Sequence, residues 1–324
     1  MKKDAQGRNT SEKFDIGRNF CTKIWNAARF VLSTIGPIPP EPVDEQRWSM
    51  ADRWIVSRFN RTVEEASAAL TSYRFDLYAK ACYDFFWRDF CDWYVEATKP
   101  AMKDPARAGQ TANVLAAVLD GALRLMHPVI PFITETIWWK LNEVRPGNRD
   151  LPGRLIAASG SSRLVKAPWP AVGDFSQAAE HIFPKLQELV GAIRTVRNEH
   201  KVDPKKSVTI SVLAPGDSAR TIRDNRELVE TLAVCTLKDV RADLPPVNGA
   251  ARAAAAGCEV FVEGVIDEGA EKQRLGKRRE DLEKYITVRR NRLGSDYVSK
   301  APPHLVKQTR DELAEAEAEL AKLG

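Results

Sequence analysis

The side chains able to do acid–base, nucleophilic or metal chemistry are scattered along this sequence of 324 residues. Its four histidines, His127, His181, His200 and His304, fall in four separate segments: His127 abuts a proline break, His200 closes a helical run and His304 sits in a turn. The five cysteines (Cys21, Cys82, Cys91, Cys235, Cys258) include no C-x-x-C pair and no Cys/His cluster at ligand spacing, which argues against both a zinc module and a disulfide framework. No phosphate-binding P-loop, dinucleotide fingerprint, nucleophile elbow or H-E-x-x-H occurs. Carboxylate pairs such as Glu64-Glu65 fall on helical surfaces, where they solubilise. The sequence therefore presents no catalytic residues and no metal ligands.

What it does gather is positive charge. The whole chain carries only +5, from 49 Lys and Arg against 44 Asp and Glu, too little by itself to announce a polyanion partner. Between Glu271 and Arg310, however, 12 Lys and Arg face five acids, a local +7. Lys277, Arg278, Arg279, Arg289, Arg290, Arg292 and Lys300 belong to this stretch, whereas the tail from Asp311 holds five acids and one Lys. Clustered cations suit a phosphate backbone, because they release condensed counterions without base-specific geometry. The same pattern also describes a coiled-coil flank with internal ion pairs. A second candidate set is Arg18, Asn19, Lys23, Asn26 and Arg29, donors interleaved with apolar positions along one side of the first helical run; an ordinary solvated face has that pattern too.

The elements that would position these residues are mostly helical. Apolar spacing predicts helices over Ser11 to Ser33, Met50 to Ser72, Leu77 to Thr98, Thr111 to Leu125 and Phe132 to Leu141, about five in all and enough for a bundle. The third carries seven large rings (Tyr83, Phe85, Phe86, Trp87, Phe90, Trp93, Tyr94); core packing predicts at most one or two of them exposed. After a connection rich in Gly, Pro and Ser, the pattern predicts a helix over Phe175 to His200, a strand over Ser207 to Leu213, a helix around Glu227 to Leu232, a loop over the Ala-rich Gly249 to Gly257, and a strand over Cys258 to Glu263. The last segment reads as an antiparallel helical hairpin: Leu275, Leu282, Ile286 and Leu293 oppose a seam of Val306, Thr309, Leu313, Ala316, Leu320 and Leu323, with the turn over Gly294 to His304. A first arm of about 25 residues would reach about 40 Å. The fold class is thus mainly α, a helical bundle (1–147), an extended connection (148–174), a small α/β domain (175–266) and a C-terminal antiparallel coiled-coil arm (267–324). The N-terminus has no apolar core of a signal peptide, and nothing approaches the ~18 uninterrupted apolar residues of a membrane span, so a cytoplasmic protein is expected.

Specific runs carry a resemblance. The segment Asp15 to Phe30 reads Asp-Ile-Gly-Arg-Asn-Phe-Cys-Thr-Lys-Ile-Trp-Asn-Ala-Ala-Arg-Phe; Arg74-Phe-Asp-Leu-Tyr-Ala-Lys-Ala is followed by Asp89-Phe-Cys-Asp-Trp-Tyr-Val-Glu and Lys99-Pro100. With His127-Pro-Val-Ile-Pro-Phe-Ile-Thr-Glu-Thr-Ile-Trp138, Val196-Arg-Asn-Glu199 with Lys205, and Val298-Ser-Lys-Ala-Pro302, these resemble the C-terminal part of valyl-tRNA synthetases, class I aminoacyl-tRNA synthetases. The resemblance spans essentially the whole chain, and the last motif, at the hairpin tip, is the discriminating one. It implies a class I anticodon-binding bundle and a coiled coil against the outer corner of a valine tRNA. Arg18, Asn19, Lys23, Asn26 and Arg29 would lie near the anticodon, and the hairpin cations along the backbone. It further implies catalytic and editing domains of the same synthetase as partners, a monomer, no membrane, and no cofactor in this chain; ATP and Mg belong to the full-length enzyme. The family's H-x-G-H and K-M-S-K-S motifs are absent, so the chain is expected to begin downstream of the chemistry and to be inactive alone, whether excised fragment or free-standing relative. Two other readings stand beside it: a helical scaffold whose coiled coil pairs with a protein, and the tail of a leucine or isoleucine enzyme, disfavoured by the hairpin and the scattered cysteines.

Overall fold

The computed structural model describes residues 2–3, 7, 9–146, 162–245, 247, 249–266, 282–294 and 303–322. Two short strands, β1 (Lys2–Lys3) and β2 (Asn9–Thr10), pair antiparallel. The bundle follows: α1 (Glu12–Ile35), α2 (Met50–Thr71), a central segment of α3 (Phe75–Asp84), a π-helical stretch (Phe85–Tyr94) and α4 (Val95–Thr98), then α5 (Pro105–Met126) and α6 (Pro131–Val144). The five helical runs predicted from periodicity are all present.

Local chemistry sets the helix starts. Ser49 caps α2 in a reciprocal box: the Asp52 N–H donates to Ser49 Oγ at 3.1 Å, and the Ser49 N–H donates to Asp52 Oδ2 at 3.0 Å. Tyr94 Oη donates to the other Asp52 oxygen at 2.6 Å, which ties the start of α2 to the end of the π-helical stretch. Burial pushes the Asp52 carboxyl above the usual carboxylate range, against the lowering effect of those hydrogen bonds. Asp104 caps α5, with Pro105 in the first turn where its missing N–H costs no hydrogen bond.

The central segment is the middle of the core. Phe85, Phe86, Phe90 and Tyr94 are fully buried, and Tyr83, Trp87 and Trp93 are half-buried, so none of its seven rings is exposed. The Val95 N–H reaches back to the Phe90 carbonyl, an i→i+5 bond that closes the wider winding. Helix α5 is buried from Ala108 to Met126 apart from Asn113, and its small residues let neighbours approach closely. At Gly121 a Cβ would lie 2.2 Å from Phe59 Cζ.

Helix α7 (Gln177–Glu199) joins two apolar cores. Ala179 and Phe183 complete the bundle core, where Phe183 stacks on Trp54 at 3.9 Å; Leu186, Leu189, Val190, Ile193 and Val196 belong to a second core. That second core covers a sheet of β3 (Val208–Leu213), β4 (Cys235–Arg241), β5 (Ala251–Ala255) and β6 (Cys258–Glu263), in the order β4-β3-β6-β5. β3 and β4 are parallel, joined across α8 (Asp217–Asp224) and α9 (Arg226–Ala233), and the other pairs are antiparallel. Ion pairs of Arg61 with Glu180 (2.6 Å) and Arg107 with Glu227 (2.5 Å) clamp bundle helices to α7 and α9.

The expected loop over Gly249 to Gly257 is corrected: Ala251–Ala255 is a strand paired with β6. Ala256 and Gly257 both have positive φ (+51° and +72°) and lie between the paired Ala255 and Cys258, the two-residue turn whose twist matches a hairpin. Alanine has low strand preference, but its small side chain lets this edge strand lie close beneath α7. α8 and β4 were also not predicted.

In the C-terminal hairpin the described arms are 282–293 and Pro303–Lys322. Leu282 and Ile286 pack with Leu313 and Leu320, and Val306 and Thr309 are buried, as the heptad spacing predicts. Among the described residues no helix is long and apolar enough to cross a membrane.

The close approach at Gly121 makes a stability prediction. Gly121→Ala should destabilise the fold by about 1–3 kcal/mol through overpacking against Phe59; a urea denaturation series would show it as a lower midpoint.

Candidate nucleic-acid interface

Helix α1 is amphipathic in a way that fixes what it offers to solvent. Ile24, Ala28, Val31 and Ile35 are buried at successive turns of one face. Phe20 reinforces the anchor, its ring lying 4.8 Å from that of Tyr83 and 6.3 Å from that of Trp87. The opposite face presents Arg18, Asn19, Asn26 and Arg29, all exposed. Arg18 pairs with Asp15 at 2.9 Å, whereas Asn19, Asn26 and Arg29 have no side-chain partner among the described residues. These are open donors and acceptors on a rigid helix.

Lys23 is the exception among the five candidates. Its Nζ lies 2.5 Å from Asp92 Oδ1 and 4.5 Å from the centre of the Trp87 ring, so it binds α1 to the central segment. Phe30, not singled out from sequence, is 38% exposed and lies one turn beyond Asn26 on the same side of α1. Its ring, with Lys99 Nζ at 5.8 Å, adds a stacking surface beside Asn26 and Arg29.

The hairpin divides its cations differently. Arg289 is largely covered; it accompanies Glu312 at 3.2 Å and lies 4.0 Å over the Tyr285 ring. Glu312 also accepts from Gln308 Nε2 at 3.0 Å and Tyr285 Oη at 3.2 Å, and the hydrogen bonds from Gln308 and Arg289 hold its carboxyl below the ordinary value. Arg290 reaches Glu317 at 2.7 Å but stays well exposed, and Arg292 is exposed. Lys277, Arg278, Arg279 and Lys300, and with them the turn motif Val298 to Pro302, lie outside the described residues.

Comparison with known proteins gives this geometry its setting. Residues 52–212 match the family described as the anticodon-binding domain of tRNA ligase. The valine--tRNA ligase of Petrotoga mobilis is 34% identical over 98% of this chain, that of Neisseria meningitidis serogroup B is 35% identical over 94%, and that of Rhodopirellula baltica is 32% identical over 96%. The chain belongs to the valine--tRNA ligase family. It spans 36%, 32% and 30% of those three relatives, about a third of their length. Helix α1 precedes the matched anticodon-binding region but falls within the span shared with the Petrotoga mobilis ligase, which covers 98% of the chain.

Within this family framework the Val196-Arg-Asn-Glu199 motif acquires a structural meaning. The buried Arg197 guanidinium donates to the carbonyls of Lys206 (2.7 Å), Val234 (2.8 Å), Asp203 (3.0 Å) and Pro204 (3.2 Å). It ties the end of α7 to the loops that open β3 and β4. Among the described residues no cluster of His, Cys, Asp or Glu could hold a metal ion.

The contrast between the two hairpin arginines is testable. Arg289→Ala should loosen the pairing of the arms and raise amide hydrogen exchange across 282–293. Arg290→Ala should leave that exchange close to wild type, because exposed ion pairs contribute only about 0–1 kcal/mol.

Proposed function

We propose that this chain is the tRNA-binding portion of a valine--tRNA ligase, with the outer face of α1 reading the anticodon and the basic hairpin gripping the body of a valine tRNA. The observation that carries the reading is the juxtaposition on α1 of Asn26, Arg29 and Phe30, open to solvent while the opposite face is locked into the core. Anticodon bases are single-stranded, so their faces can stack on a ring and their edges can meet amide and guanidinium groups. Asn19 and Arg18 extend the same face by about two turns towards the start of α1. Lys23 acts through its link to Asp92 and Trp87, holding α1 in register with the central segment.

The hairpin contributes affinity. Arg290, Arg292 and the neighbouring Lys277, Arg278, Arg279 and Lys300 make phosphate contacts along the outer corner of the tRNA, with Arg289 keeping the arms together. Aminoacylation itself, with its ATP and Mg, resides in the part of the ligase that these residues do not span, and this chain acts as a cytoplasmic monomer without a cofactor of its own. The scaffold reading is less well supported. The acidic second arm already meets the basic first arm within the hairpin, through Glu312 and Glu317.

Filter-binding titrations with a valine tRNA and a copy carrying a mismatched anticodon test the reading role. Asn26→Ala and Phe30→Ala should each reduce the preference for the valine anticodon by about 5- to 150-fold, the equivalent of about 1–3 kcal/mol. Equal loss for both tRNAs would refute it.

Removing Arg278, Arg279, Arg290 and Arg292 together should weaken both tRNAs alike and reduce the slope of log affinity against log salt by about one per lost contact. Unchanged affinity would show that the hairpin is not an RNA arm.

A further inference from the structure

The small α/β domain contains a cavity that neither the α1 face nor the hairpin uses. It has a volume of about 320 Å³ and lies where α7, α8 and the turn between β5 and β6 meet. Helix α7 cannot close over this corner in the ordinary way. Pro184 stands inside the helix, has no N–H to give the Glu180 carbonyl, and crowds that carbonyl with its ring. His181, Ile182 and Lys185, on either side of it, all face the cavity. The turn beneath offers only the small side chains of Ala256 and Cys258, which leave the space unfilled. It is nonetheless fixed, because the Ala256 N–H donates to Glu188 Oε1 of α7 at 2.6 Å.

The interior is apolar and its rim is charged. Leu186, Leu189 and Ile222 are buried along the walls. Burial pushes the Cys258 thiol up, against the lowering effect of a hydrogen bond with Ser218, so the floor is uncharged near neutral pH. Lys185 of α7 and Asp217 at the start of α8 line the same cavity from two helices, and Lys185 Nζ lies 2.9 Å from His181 Nε2. Elsewhere in this domain such charges are spent on each other, as in Arg226 with Glu230, Lys238 with Glu263 and Arg241 with Asp239. Among the described residues neither Lys185 nor Asp217 has an ion-pair partner, and the Asp217 carboxylate makes no hydrogen bond.

This lining selects its ligand. A simple anion would meet Asp217 and a simple cation would meet Lys185, so a ligand with both charges on a small apolar body satisfies the whole cavity. The volume is at the small end for ligand sites; at about 30 Å³ per water-sized group it holds about ten non-hydrogen atoms.

We infer that the cavity binds an apolar α-amino acid of about the size of leucine, as its zwitterion. The carboxylate meets Lys185 beside His181, the ammonium meets Asp217, and the side chain lies among Leu186, Leu189 and Ile222. The hydroxyls of Ser218 and Thr221, one helical turn apart on α8, can donate to the carboxylate or accept from the ammonium. The cavity belongs to the second core and the α1 face to the first, so amino-acid binding here does not rest on the tRNA reading.

Saturation-transfer NMR on the full 324-residue chain, with L-leucine as the probe, tests the site. Isocaproate and isoamylamine carry the same apolar body with only the carboxylate or only the ammonium. Leucine is expected to saturate at about millimolar concentration. Each analogue should bind at least about fivefold more weakly, the low end for a charged hydrogen bond because both side chains are exposed. Lys185→Gln should weaken leucine by about the same factor without weakening isoamylamine, and Asp217→Asn should weaken leucine without weakening isocaproate. Both variants should keep the wild-type melting temperature, since neither side chain is part of the core. The inference is overturned if leucine shows no saturable binding, if either analogue binds wild type as tightly as leucine does, or if both variants bind leucine like wild type.

Discussion

Burial of the central aromatic segment is the constraint on which the rest of the structure depends. Phe85, Phe86, Phe90 and Tyr94 cannot be removed from water by one neighbour, so α1, α2 and α5 must close around them. Polar contacts then fix the register of that closure. Tyr94 donates to Asp52 at the start of α2, Asp89 pairs with Arg58 in its middle, and Asp92 holds Lys23 of α1. Once α1 is anchored by Phe20, Ile24 and Ala28, its other face has only one direction to point. The solvent-open group of Asn26, Arg29 and Phe30 is therefore a by-product of core packing, and so is its rigidity. The same segment reaches the second core through Trp93, which meets the Phe183 ring edge-on and lies 5.0 Å beneath Arg194 of α7.

Electrostatics on the two candidate surfaces follow different logics. On α1 few donors are spent inside the protein, which suits contacts to base edges that need a particular partner. In the hairpin the acidic arm shares the cations: Glu312 and Glu317 each hold an arginine. Exposed pairs of this kind are weak and readily exchanged for phosphate, while the more covered Arg289 is retained for the hairpin itself. A modest net charge is thus compatible with a polyanion partner, because the surplus lies in a short basic stretch that the acids of the second arm only partly neutralise.

Much of the fold could be read from the amino-acid order because helix periodicity is a local property. The apolar spacing and the Pro100, Pro128 and Pro131 breaks place the bundle helices to within a few residues, apart from the start of α5, which begins at Pro105 rather than Thr111. There the signal was present in another form, the Asp104-Pro105 cap, but Ala and Gly gave no apolar stripe. β4 also carried a signal, since Cys235 and Leu237 alternate with Thr236 and Lys238, yet parallel pairing with β3 is a non-local choice. Ala251–Ala255 had no such signal. Its strand conformation comes from the turn at Ala256-Gly257 and from lying under α7. The exposure of Phe30 was equally invisible, because a sequence pattern does not say which flank of a helix a neighbour leaves open.

The order of residues alone determined that this is a mainly helical protein with a basic C-terminal stretch and with the runs that relate it to the valine--tRNA ligases. These are matters of composition, spacing and local repeats, which need no partner in space. Only the tertiary structure decided which candidate donors are available. It committed Lys23 to Asp92 and Trp87, Arg289 to Glu312, and Arg197 to four carbonyls, while leaving Asn26 and Arg29 open beside Phe30. The physical reason is that a side chain's hydrogen-bonding capacity is fixed by its type, but whether folding consumes that capacity depends on groups distant in the chain.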